Sequence, residues 1–411
     1  ARRQRQMCIR DRFVGAKSIA SLMGDVHLTP MIHAASLSFI VIGALGLLRG
    51  HFQAKRDMHM PAYSQVLEQS IRVGIIGVVI LLFVKQDLSI YQAGTWAIIA
   101  SAFGFLGATI FLWRKRDVPH NNDEMPSLPW RKFIVATVIF AISHLIVILW
   151  QVVDSFTIVN MLRYGSGLPF KEAITEKGIY DRGASFIQMG LIVTTTFCFV
   201  LIPLLTETKK RGQLQQMHSY ANASLKITIV ISSACGIGLI NLLPVLNHVF
   251  FASQDLTLTL SIYMLTVILV SLIMMYIALL EVQEQFRIIL IGFLMGITTK
   301  LIFNLITIPL MGIIGASIAT VASLIIFVFY LHVYVVKQYH LNALRKFYFN
   351  LALALLVMTA SVQLCQYLIP TSTRLGGLLE LLILASVGVG SVILMLLYLN
   401  TVSYTHLRAH E

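Results

Sequence analysis

Eleven runs of about twenty mostly apolar residues follow one another along this chain, joined by connectors with no room for a soluble domain. They fall near residues 31–48, 64–84, 92–113, 133–155, 182–205, 226–246, 256–280, 287–308, 312–336, 347–369 and 375–399. Each matches a hydrocarbon layer about 30 Å thick, which takes roughly 20 residues of helix. In lipid the backbone must satisfy its own hydrogen bonds, so such runs are expected to be helices. Composition points the same way. Only 12 % of the 411 residues are charged and 57 % are hydrophobic, whereas soluble domains carry about 25 % charge. A soluble enzyme and a disordered chain are both excluded. The expected fold class is an all-α membrane protein, a polytopic helical bundle.

A formal net charge of +13 first suggests nucleic acid as a partner. The charges instead sit in short runs between apolar stretches, so no nucleic acid partner is expected. Sixteen lysines and arginines fall in one set of alternating loops and six in the other. The richer set is expected to face the cytoplasm, which puts the C-terminus there too. Cys8, Cys198, Cys235 and Cys365 show no CxxC spacing, so neither a disulfide framework nor a metal site is expected. Arg2–Arg12 (RRQRQMCIRDR) and Val402–Glu411 (VSYTHLRAHE) read like translated sequencing adapters and are set aside as artefact. Five arginines and an aspartate leave with the first and an arginine and a glutamate with the second, which brings the net charge to +9. The native part is then about residues 13–401, and its true N-terminus is expected to lie upstream.

A few polar residues stand where they are costly. Glu68 and Arg72 lie one and two turns inside the second run, four residues apart, so each can neutralise the other. They are either a structural ion pair or part of a polar cavity. Lys300 lies eight residues before the outer end of its run, with Asn304 one turn further along the same face. It has no acidic neighbour in sequence, so it calls for an anionic ligand or a distant carboxylate. Asp154 closes the fourth run on the outer side and Asp181-Arg182 opens the fifth. Those three form either a rim ion pair or a charged entrance that binds phosphate. His144, alone in mid-helix, reads as a packed histidine.

Ala93–Ser101 and Gly315–Ser323 share a stripe of small residues, and the run before each carries a basic residue, Arg72 or Lys300. Small residues allow close helix approach, and duplicated bundles are a common transporter plan.

Three stretches resemble the polysaccharide-transporter branch of the multidrug/oligosaccharidyl-lipid/polysaccharide exporter superfamily. One is Leu48-Arg49-Gly50-His51-Phe52-Gln53 through Pro61 to Arg72. Another is Gly178-Ile179-Tyr180-Asp181-Arg182-Gly183 with Leu201-Ile202-Pro203, which is similar to the Gram-positive lipid II flippases of the stage V sporulation protein B type. The third is Lys300 through Asn304 and Pro309 to Gly315-Ala316-Ser317 and Thr320. The resemblance implies fourteen helices of the MATE type: two pseudo-symmetric six-helix lobes plus two C-terminal helices. About eleven of the fourteen are here, so three are expected upstream. On this plan the segments are an incomplete N-terminal lobe (13–113), a cytoplasmic linker (114–130), a C-terminal lobe (131–336) and an extra helix pair (347–399). The resemblance also makes Asp181 and Arg182 residues of a substrate cavity.

The expectation that follows is a flippase, not an enzyme, for a lipid-linked cell-wall saccharide in a bacterial plasma membrane, with lipid II the first choice. The substrate-binding candidates are Arg182, Asp181, Arg72, Glu68, Lys300, Asn304 and Asp154, the three cations sharing a water-lined chamber. The partners are the lipid-linked oligosaccharide, membrane lipids and a coupling ion, Na+ or H+; no cofactor is needed. Rival expectations are export of a teichoic acid, capsule or exopolysaccharide unit, and a drug/cation antiporter, which the basic inventory of the helices disfavours. A membrane glycosyltransferase would need a sizeable outer loop, and 156–181 is the only candidate.

Overall fold

The computed structural model describes residues 15–55, 57–86, 89–116, 130–339, 344–369 and 373–399. Both end segments set aside above, most of the central linker and the side chain of His144 lie outside the described residues. The chain divides into two compact units, Ala1–Ser127 and Leu128–Glu411.

The first unit holds a short helical segment at residues 15–22 and then three long helices, α1 (Thr29–Ala54), α2 (His59–Gln86) and α3 (Ile90–Lys115). Pro30 starts α1, where its missing N–H costs nothing. A capping box starts α3: the Ser89 hydroxyl accepts from the Gln92 amide, and the Gln92 side chain accepts from the Ser89 amide. Helix α3 packs along both α1 and α2, and its small residues make this possible. A Cβ at Gly104 would stand 2.8 Å from the Glu68 carbonyl oxygen of α2. Leu45, Leu48, Phe52, Ala108 and Leu112 form the core between α1 and α3.

The second unit holds α4 (Trp130–Tyr164), α5 (Phe170–Lys210), α6 (Leu214–Phe251), α7 (Thr257–Met264), α8 (Thr266–Val282), α9 (Phe286–Met311), α10 (Ile313–Tyr339), α11 (Leu344–Leu368) and α12 (Arg374–Tyr398). Helix α8 is apolar on every face and sits at the centre, against α5, α6 and α10. Helices α9 and α10 form a hairpin that α4 covers. There Trp150 stacks on Phe327, with ring centres 6.0 Å apart and planes 4° from parallel. Gly296 makes room for it: a Cβ there would meet the Trp150 ring at 2.8 Å. Helices α11 and α12 pair and lie against α6.

Among the described residues, ten segments are long and apolar enough to cross a membrane, and α5 contains the remaining run, 182–205. The chain is a multi-pass membrane protein. Three expected boundaries change. Helix α4 runs ten residues past Asp154 to Tyr164, and α5 begins at Phe170, eleven residues before Asp181. The long outer loop expected at 156–181 shrinks to Gly165–Pro169. The cause is physical: a charged residue reads as a helix end in lipid, yet Asp154 is neutralised by a partner inside the bundle. The run 256–280 also breaks in two at Leu265, between α7 and α8.

Candidate functional site

Among the described residues, two charged clusters stand inside the apolar helices, one in each unit. In the second unit the cluster begins with Asp154 on α4 and Lys300 on α9, 1 % and 0 % exposed. Their Oδ1 and Nζ atoms are 2.6 Å apart. The Lys300 ammonium also donates to the Ala316 carbonyl at 3.3 Å and to the Thr320 hydroxyl, both on α10. Asn304, one turn after Lys300, donates through Nδ2 to Asp154 Oδ1 at 2.9 Å and to Thr157 Oγ1 at 2.7 Å. The Tyr180 hydroxyl of α5 lies 3.4 Å from Asp154 Oδ2 and 3.2 Å from Thr320 Oγ1. Behind it, the Tyr263 ring of α7 stacks at 4.5 Å. Five helices thus converge on one ion pair. Three donors reach the aspartate, and the lysine has three oxygen acceptors. Such satisfaction is what a charge removed from water requires. Asn304 Oδ1 is the exception, a buried acceptor with no donor.

Sequence placed Lys300 and Asn304 together in one run and Asp154 in another; the structure brings the two runs into contact. Of the two expectations for Lys300, an anionic ligand or a distant carboxylate, the carboxylate is what faces it. The Lys300 side chain is fully buried against that carboxylate. Asp181 and Arg182 do not pair with each other. Asp181 is bridged by Lys177 one turn earlier on α5, and the Arg182 guanidinium lies over the Phe251 ring at 4.6 Å. Among the described residues, Arg182 has no ion pair.

In the first unit Glu68 of α2 is 5 % exposed and holds two guanidiniums. Arg72 Nη2 reaches Oε1 at 2.7 Å, and Arg49 Nη2 of α1 reaches Oε2 at 2.8 Å. Arg49 Nε donates to Ser64 Oγ at 3.0 Å, and Arg72 Nη1 donates to Gln69 Oε1 at 3.1 Å. Arg72 also lies over the Phe105 ring of α3 at 5.4 Å. The expected mutual neutralisation of Glu68 and Arg72 is present, and Arg49 joins it. Sequence reasoning passed over Arg49 as a loop charge because the first apolar run stops one residue short of it. Two arginines against one glutamate leave a surplus positive charge. Arg49, Gln65, Val66, Glu68, Gln69, Ser70 and Val73 line an open groove of about 620 Å³.

Comparison with known proteins gives this arrangement a family. The profile of the polysaccharide biosynthesis protein family matches residues 13–209. An uncharacterized membrane protein of Bacillus subtilis (strain 168), YabM, is 30 % identical over 392 residues, which cover 92 % of this chain and 73 % of the relative. The chain belongs to the polysaccharide biosynthesis protein family. Two further members from the same organism are more distant. The lipid II flippase MurJ is 25 % identical over 75 % of this chain, and stage V sporulation protein B is 20 % identical over 70 %. The chain spans 59 % and 57 % of their lengths. Among solved structures, a lipid II flippase MurJ in an inward closed conformation superposes with a TM-score of 0.65 at 17 % identity, over 98 % of this chain and 82 % of that one. An inward-facing multidrug resistance transporter of the MATE family gives 0.63 at 15 %, over 82 % and 79 %. The chain shares the fold of both, and the predicted class of MATE-type helical bundle is the observed one.

Proposed function

We propose that this protein is a flippase that moves a lipid-linked cell-wall saccharide precursor, lipid II in the first instance, across a bacterial plasma membrane by alternating access. The observation that carries the reading is the placement of cationic side chains within transporter-family helices. Arg182 lies over the Phe251 ring and has no ion pair among the described residues, and the Arg49–Glu68–Arg72 cluster keeps one surplus positive charge. A diphosphate must lose hydration to leave water, and guanidinium groups replace that hydration with paired N–H donors. The saccharide head then travels through the protein while the lipid tail stays in the bilayer. Asp181 beside Arg182, held by Lys177, orders the helix surface on which the arginine stands. The sealed Asp154–Lys300–Asn304 network holds α4, α9 and α10 together and is the candidate coupling element, opened or closed as Na+ or H+ competes for Asp154. No covalent step is needed. Support for this comes from the five-residue connector at Gly165–Pro169, which leaves little room for the outer catalytic loop of a glycosyltransferase. The cytoplasmic C-terminus and the two-lobe division near residues 114–130 belong to the same proposal.

The choice of lipid II is the finer part of this proposal. The relative at 30 % identity has no assigned activity, while the MurJ relative is at 25 %. Export of a teichoic acid, capsule or exopolysaccharide unit therefore stands beside lipid II. Complementation separates them. A full-length homologue should restore growth after depletion of the resident lipid II flippase, and its Arg182→Ala variant should fail at equal membrane expression. Failure of the unaltered homologue would move the assignment to another saccharide; rescue by the variant would remove Arg182 from the site.

A further inference from the structure

Resting on the flippase proposal, we infer that Arg49, with the amides of Gln65 and Gln69, forms a diphosphate subsite on the first unit. Gln65, Gln69 and Ser70 are exposed on α2, a helix that is otherwise apolar enough to cross the membrane. Amides facing hydrocarbon with nothing to pair them are strongly unfavourable. A helix face that keeps them is a face meant for water or a polar ligand. They line the same groove as Arg49.

The guanidinium chemistry fits an anion with several oxygens. Glu68 uses both its carboxylate oxygens on the two arginines, so it fixes their planes without cancelling their combined charge. Ser64 fixes Arg49 further, through Nε. None of the described hydrogen bonds uses Arg49 Nη1, whose two N–H groups remain for a ligand. Gln69 spends its Oε1 on Arg72 and keeps its NH2. Arg72 Nε is a buried donor with no acceptor. The cluster thus has unused donors and a net positive charge, the complement of a group rich in acceptors. A diphosphate ester fits better than a single carboxylate because Glu68 already occupies the one-carboxylate position.

The test is binding of farnesyl diphosphate to the purified full chain in nanodiscs of zwitterionic lipid, measured by calorimetry. Inorganic pyrophosphate, farnesyl monophosphate and added phosphatidylglycerol serve as competitors. Farnesyl diphosphate should bind, pyrophosphate should displace it, and Arg49→Ala should weaken it at least tenfold. Arg49→Lys should fall between the two, because it keeps the charge and loses the fork. Arg163→Ala, at the end of α4, should bind as the unaltered chain does. Equal binding by Arg49→Ala, with an unchanged melting temperature, overturns the subsite. So does displacement by phosphatidylglycerol as effective as that by pyrophosphate. Translocation of labelled lipid II in liposomes is read separately. Diphosphate binding lost in Arg49→Ala, with no translocation by the unaltered chain, would leave the subsite standing and remove the flippase proposal. Translocation that persists with Arg49→Ala binding unimpaired would do the reverse.

Discussion

Lys300 and Asp154 are each costly in the bilayer, about 3 kcal/mol at a helix centre on insertion scales, and each is tolerated because the other lies 2.6 Å away. Removing one partner should therefore cost more than removing both. Lys300→Met alone is expected to destabilise by about 3–5 kcal/mol, since it strands a buried carboxylate. Lys300→Met with Asp154→Asn should recover most of that loss, read as the melting temperature in detergent. Transport then tells structure from coupling: a double variant as stable as the unaltered chain but inactive assigns the pair to the transport cycle, and full activity makes it a staple. This pairing was invisible in sequence because the partners come from helices far apart along the chain. The Glu68–Arg72 pair was visible because a single helix turn brings the two side chains together. Arg49 was half visible; its type was noted, but its position inside α1 required knowing where α1 ends.

At the scale of elements, apolar length was legible and helix ends were not. Every predicted run is helical, with 256–280 divided between α7 and α8, because a span of about 20 residues is dictated by the thickness of hydrocarbon rather than by local preference. The ends of α4 and α5 were misplaced by the charges at Asp154 and Asp181. Helix α5 has 41 residues, about 60 Å at 1.5 Å each, so it overruns the membrane or crosses it at a tilt. The small-residue stripe of α3 was legible, and its purpose is now specific. Gly104→Ala would press a methyl group on the Glu68 backbone, which has no side-chain freedom with which to give way. It should cost about 1–3 kcal/mol, as overpacking does, seen as a lower denaturation midpoint. Gly50→Ala on α1, where a Cβ meets nothing within 4 Å, should change stability by less than about 0.5 kcal/mol.

At the scale of the whole molecule, orientation is the property most open to direct measurement. The excess of lysine and arginine in one set of loops predicts that a fluorescent protein fused after Leu399 folds and glows, as it does only in the cytoplasm. Cysteines placed at Lys171 and at Lys210, the two ends of α5, should react from opposite sides with a membrane-impermeant maleimide, Lys171→Cys from outside. Labelling of both from one side would contradict the assigned spans.

The sealed ion pair also bears on biosynthesis. The ribosome delivers α4 to the insertion machinery long before α9 is made, so Asp154 enters the bilayer without its counter-charge. The nascent chain must hold that carboxylate beside the machinery, out of bare hydrocarbon, until Lys300 arrives. A stop codon placed before α9 should therefore yield a product that quality-control proteases clear faster than one ended after α10, even though both truncations finish on a completed helix.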